Sequence, residues 1–132
     1  MIYVKYIAVL LPILLIVDAF WIAGVAGSFY KNNLGYIMSG SINWLPALLF
    51  YVLYIFGLVY FIILPGQASG DIWTTIMRGA LFGLIAYGTY DLTNHATLRD
   101  WPPIVTFVDM AWGTFLTGLL SGIGHYISKW IV

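Results

Sequence analysis

Four stretches of this chain are apolar for about 20 residues or more, the length a helix rising ~1.5 Å per residue needs to cross the hydrocarbon of a bilayer. They cover residues 2–25, 44–64, 74–94 and 103–128. In lipid every backbone polar group must be paired within the protein, so stretches of this kind fold as helices. Only 8% of the 132 residues are charged, against about 25% in soluble domains. The sequence therefore predicts an all-α fold, an integral membrane four-helix bundle that forms a single domain over residues 1–132. Four spans put both termini on one side, called A here, and the connections 28–43 and 95–102 on the other, called B.

The joints carry helix punctuation. Residues 28–41, with Lys31, Asn32, Asn33, Gly35 and Gly40, are too polar to span and read as a loop holding a short interfacial segment between the first two helices. Asn43 reads as a cap with Pro46 in the turn after it, where a missing N–H is harmless. Pro65-Gly66 is expected to stop the second helix, Asp71 to cap the third and Asp100 to cap the fourth ahead of Pro102-Pro103. Tyr3, Tyr6, Trp44, Trp73, Trp101, Tyr126 and Trp130 fall at span ends, where amphipathic rings sit at headgroup level. Gly79 with Gly83, and Gly118 with Gly122, are four apart and allow close helix packing. Lys5 ahead of an apolar run, with small residues from Ala23 to Ser28, resembles a secretion signal, but Asp18 interrupts it and its length suffices to span. It is read as the first membrane helix.

Composition removes several functions. Five Lys and Arg balance five Asp with no basic patch, which excludes nucleic acid as a partner and leaves the lipid bilayer as the certain one. The absence of Cys removes disulfides, thiolate metal sites and thiol nucleophiles. No Gly-rich phosphate loop, nucleophile motif or metal signature occurs, so no cofactor is indicated. His95 lies at side B and His125 at side A, so the two cannot ligate one haem within a single bundle.

Against this background three acids stand out. Asp18 lies seven residues before Val25, Asp91 three before Asn94 and Asp109 six after Pro103, which places all three roughly 5 to 10 Å inside side B. A carboxylate in hydrocarbon costs about 3 kcal/mol even on lenient scales, so the acids must face inward and be protonated, paired or hydrated. Held close together they cannot all ionise, and they are expected to titrate as a set. Tyr87, Asp91 and Asn94 share one helix face, Thr106, Asp109 and Gly113 share another, and Tyr51 lies at similar depth. His95 and Arg99, one and two turns beyond Asp91, complete the candidate set, Arg99 either reaching back to the acids or snorkelling to headgroups. The ends of the bundle echo each other, Val17-Asp18-Ala19-Phe20-Trp21 against Val108-Asp109-Met110-Ala111-Trp112. That echo puts Trp21 and Trp112 beside an Asp as indole donors or pocket walls.

The run from Tyr87 to Trp101, Tyr-Gly-Thr-Tyr-Asp-Leu-Thr-Asn-His-Ala-Thr-Leu-Arg-Asp-Trp, followed by Val108-Asp109-Met110-Ala111-Trp112-Gly113, is similar to a bacterial membrane family catalogued as domain of unknown function 2177. Asp18 and Trp21, Phe29-Tyr30 with Leu34-Gly35, and Phe50-Tyr51 with Tyr54 extend the likeness over nearly the whole chain. The resemblance implies a four-span protein of a bacterial inner membrane and supplies no activity, substrate or cofactor.

Three functional readings follow. The first is proton-coupled binding or transport of a cation or small substrate, with Tyr and Trp walls suited to apolar cations; four helices alone are few for a transport path, so it calls for a homodimer. The second is an intramembrane enzyme on a lipid or isoprenoid, with Asp91 or Asp109 as acid or base, His95 as relay and Arg99 holding an anion. The third is a structural subunit or assembly factor of a larger membrane complex, with the acids as interhelical glue. Lys5, Arg78 and Lys129 on side A against Lys31 and Arg99 on side B point to cytoplasmic termini.

Overall fold

The computed structural model describes residues 1–131 and is helical from end to end, with no strand among the described residues. Four long helices run Ile2–Leu34 (α1), Trp44–Ser69 (α2), Ile72–Thr97 (α3) and Pro103–Ile131 (α4). Three of them, α1, α2 and α4, are long and apolar enough to cross a membrane. The 26-residue α3 is as long as α2 but less apolar, because Arg78, Asp91, His95 and a series of Gly and Thr interrupt it.

The first correction concerns α1. The chain does not leave the helix near Val25; it passes through a π turn at Ile22–Ala26 and stays helical to Leu34. The polar side chains of this extension, Lys31 and Asn32, are exposed. Its other face packs, Leu34 forming a small core with Trp101 and Val105, flanked by Phe29 and Tyr30. Burial on α4 therefore overrides the loop-like composition of 28–34, and the non-helical connection shortens to 35–43. In consequence Asp18 stands at the midpoint of a 33-residue helix, not a few residues from its end.

The second correction concerns α2. Pro65 does not stop it: a π turn at Val59–Ile63 precedes the proline, where the widened backbone relieves the clash a proline ring makes one turn back. The helix ends at Gly70, whose φ of 73° is left-handed, a conformation glycine adopts without penalty. Asp71 then caps α3 as expected, accepting from the backbone N–H of Trp73 at 3.0 Å and of Thr74 at 3.3 Å. Asn43 occupies the cap position of α2 without a side-chain bond. Asp100 does not cap α4. It lies ahead of Pro102 and Pro103 with a φ of 58°, its carbonyl accepting from the Tyr36 hydroxyl at 2.9 Å.

The dry core lies towards side A. Tyr6, Leu10 and Leu14, spaced by four along α1, meet Ile55, Leu58, Val59 and Ile63 of α2 and Leu116 and Leu120 of α4. These nine side chains are at most 1% exposed. Burying each contributes about 1.5–3 kcal/mol in water, but in lipid the gain comes from dispersion and close packing instead.

Helices α3 and α4 approach most closely. A Cβ on Gly79 would collide with Ser121, and one on Gly83 with the Gly113 carbonyl and Thr117. Gly118 and Gly122 lie more loosely against Ala80 and Ile76. Helix α2 packs closely on α3 and α4 from Val59 onward, while Trp44–Leu58 packs mainly on α1 and reaches the other two helices through single side chains, Tyr54 bonding to Thr117 and lying beside Phe82. A wedge opens between the first half of α2 and α3.

Candidate functional site

The wedge contains two of the acids, Asp18 and Asp109. A chamber of about 350 Å³ is walled by Ala47, Phe50 and Tyr51 of α2 and Ala86, Tyr87 and Tyr90 of α3, with Asp18 and Asp109 facing it from α1 and α4. A second chamber of about 160 Å³ lies behind, bounded by Trp21, Ile22, Tyr30 and Trp112. The two share Asp18, Tyr87 and Asp109. The Tyr87 ring rests directly over Gly113, where a side chain of any size would displace it.

Asp18 and Asp109 are supplied with donors in a crosswise pattern. The Trp112 indole of α4 donates to Asp18 Oδ1 at 3.2 Å, and the Tyr51 hydroxyl donates to Oδ2 at 3.2 Å. Conversely, the Trp21 indole of α1 donates to the Tyr30 hydroxyl at 3.3 Å, which donates to Asp109 Oδ1 at 2.6 Å. The two indoles stack with centroids 4.3 Å apart and planes 4° from parallel. The sequence echo therefore has a structural counterpart, with one change. Each Trp serves the acid of the opposite helix, because α1 and α4 run antiparallel and the stacked rings lie between the two acids.

Asp91 differs from both. It is 0% exposed, and neither carboxyl oxygen has a hydrogen-bond partner. Its neighbour across the α3–α4 seam is the Asp109 carboxyl. Leaving a buried acceptor unpaired costs about 1–3 kcal/mol, so the native chain maintains Asp91 against a local penalty.

The structure thus brings together Asp18, Asp91, Asp109, Tyr51, Tyr87, Trp21 and Trp112. It leaves three expected members outside. Arg99 is exposed beyond the end of α3 and does not reach back, since the helix stops at Thr97 and turns the chain away. His95 is exposed and its Nδ1 lies 3.3 Å from the Thr106 hydroxyl, which the Trp101 indole also contacts at 3.0 Å. Asn94, half-buried one turn beyond Tyr90 on α3, lines neither chamber. No Lys, Arg or His among the described residues lines either chamber, and no group of three metal-ligating side chains occurs among them.

Two participants escaped the sequence reading. Tyr30 lay in the segment read as a loop with a short interfacial helix. Tyr54, buried under the chamber, bonds to Thr117, which donates onward to the Gly113 carbonyl at 2.6 Å. The spacing of four through Asp109, Gly113, Thr117 and Ser121 was the available signal, a polar and small stripe on one face of α4.

Residues 2–126 match a family model described as a predicted membrane protein, DUF2177. No curated protein matches the chain, and no solved structure does.

Proposed function

From membership of DUF2177, a family of predicted membrane proteins to which the chain belongs, we propose that it is a bundle crossing a bacterial inner membrane four times. Both termini are cytoplasmic, and the chain binds or transports a cation or small substrate in exchange for a proton at the Asp18–Asp91–Asp109 cluster. One observation carries the reading: the Asp91 carboxyl is wholly buried, unpartnered and adjacent to Asp109. Acids kept only as interhelical glue would be partnered, as Asp18 is by Tyr51 and Trp112. With no basic side chain lining the chambers, only a proton or an entering cation can neutralise the cluster.

In this scheme Asp109, which faces the chambers, meets the cation, and the proton displaced there leaves through Asp91 or the chamber mouth. The titratable groups around the pair are Asp18 and Tyr30 on α1, Tyr51 on α2, and Tyr87 and Tyr90 on α3. The enzyme reading has less support. The relay assigned to His95 and the anion contact assigned to Arg99 both require side chains at the acids, and neither is there.

The test is proton release from purified protein in weakly buffered detergent on addition of monovalent cations, inorganic and organic. Release that is stoichiometric with protein and lost in Asp109→Asn is expected. A folded wild-type protein that releases no proton with any cation would overturn the proposal.

A further inference from the structure

We infer that the chamber's ligand is an organic ammonium ion dissolved in the bilayer, which enters sideways between α2 and α3. The inference rests on the cation-binding reading above and narrows it to a chemical class and a route. Three features argue for the class. The chamber is too large for a bare inorganic ion, at about 350 Å³, and lies at the lower end of the range for small organic ligands. Its walls are aromatic, with Phe50, Tyr51, Tyr87 and Tyr90 around two carboxyl groups. That combination suits a weakly hydrated cation, which gains from ring faces on several sides and needs few direct hydrogen bonds. A hydrated metal ion would instead ask for a full set of oxygen ligands, and the side chains lining the chamber supply only two carboxyl groups and neutral tyrosine hydroxyls.

The route follows from the wedge. Ahead of Tyr54, which reaches Thr117 of α4 and Phe82 of α3, α2 faces α3 across the chamber, with Ala47, Phe50 and Tyr51 on one side and Ala86, Tyr87 and Tyr90 on the other. Its rim residues, Phe50 and Tyr90, are 52% and 57% exposed. The outward Ile85 beside them on α3 is apolar and 61% exposed, so the mouth opens among lipid-facing surfaces. Asp91 supplies the independent sign that a ligand belongs here: it is buried behind Asp109 with both oxygens unpaired. A cation seated at Asp109 would displace a proton from the pair, and the free oxygens of Asp91 can pass that proton on as it leaves.

A ligand entering this way can keep an alkyl tail in the bilayer while its head sits in the chamber. The probes are benzyltrimethylammonium, octyltrimethylammonium and neopentylbenzene, the last being the neutral carbon isostere of the first. Each is added to the purified protein in maltoside micelles while fluorescence of the stacked Trp21–Trp112 pair and thermal unfolding are followed. Both ammonium ions should bind saturably, at least tenfold more tightly than the neutral isostere, and Asp109→Asn should remove that preference. Ala47→Trp, which fills the mouth on a half-buried position of α2, should weaken both ions while leaving the unfolding temperature near wild type.

Equal binding of neopentylbenzene would show a merely apolar cavity and overturn the inference. Binding of benzyltrimethylammonium with rejection of the octyl compound would overturn the sideways route. If inorganic cations release protons while neither ammonium ion binds, the inference fails and the cation-binding proposal stands; if no cation of any kind has an effect, both fail.

Discussion

Helix α3 meets its two neighbours in opposite ways. Against α4 it presents Gly79 and Gly83, and the backbones approach until no further atom fits between them. Against the first half of α2 it presents Ala86, Tyr87 and Tyr90, and a chamber remains. One seam has surrendered its side chains to contact, and the other has kept large polar rings and left them under-packed. Membrane helices associate through close packing and small residues, so the first seam is sufficient to hold α3 in place. The second is then free to hold a ligand. The contrast teaches that the bundle's stability and its candidate chemistry are on different faces of the same helix, and that each can be disturbed separately.

The strongest challenge to this division is a side chain placed in the closed seam. Gly83→Leu is expected to cost more than ~3 kcal/mol, because the collision is with the Gly113 carbonyl as well as with Thr117, and the backbone cannot move aside. Size-exclusion profiles and thermal unfolding in detergent would show it as loss of the folded species. Phe50→Ala on the open side, by contrast, should fall within about 0.5 kcal/mol of wild type. Comparable losses from both would erase the distinction.

An effect of opposite sign is expected at the acids. Asp91→Asn supplies an amide donor to the Asp109 carboxylate and leaves one unpaired buried acceptor where there were two, so the protein should gain about 1–3 kcal/mol while losing cation-driven proton release. Stabilisation accompanied by loss of activity is the mark of a site maintained for use. A destabilised variant would instead assign Asp91 to the scaffold.

Smaller changes sharpen the crosswise pattern. Trp112→Phe preserves an aromatic ring against Trp21 and deletes the donor to Asp18, a loss of about 0.6 kcal/mol on the scale of hydrogen bonds inside membranes. The same unfolding assay should show that Tyr51→Phe costs a similar amount, since both groups serve one carboxylate.

The smallest effect lies outside the membrane-spanning segments. At Asp71 the bonds from the Thr74 hydroxyl and the Trp73 and Thr74 amides hold the carboxyl below its ordinary value of 3.8. A carboxyl depressed by folding stabilises the fold in full above that ordinary value, and the contribution disappears as pH falls through the depressed one. The unfolding temperature of Asp71→Ala should therefore lie slightly below wild type at neutral pH, with the gap closing in strong acid. A gap independent of pH would mean that the cap acts through shape alone.

Much of this was legible from the residues. Apolar length gave the helices, and the cost of a carboxylate in hydrocarbon gave inward-facing Asp18, Asp91 and Asp109. The repeated Val-Asp with a Trp three residues on gave the indole partners, though not their exchange between helices, which depends on antiparallel contact that no local pattern encodes. What stayed hidden was set by tertiary contact. Lys31, Asn32 and Asn33 read as loop because their polarity is local, whereas the burial of Leu34 on Trp101 and Val105 is not. Pro65 read as a stop because a π turn ahead of it leaves no mark in composition. Arg99 and His95 were counted towards the acids on helical spacing alone, and the helix ended before that spacing could apply to Arg99.

The π turn at Ile22–Ala26 has a meaning for inheritance as well as for shape. It amounts to one residue more than an α-helix requires, placed between Trp21 and Tyr30, which both belong to the Asp109 relay. Each residue in an α-helix advances the side chains by about 100°. A chain lacking the surplus residue would keep a continuous first helix and still swing Tyr30 and Leu34 away from α4. Gly24, with open space around it, is where such a shortening would be best tolerated. A single lost codon there would spare the fold and dismantle the relay, so the length of this segment is itself heritable information about the site.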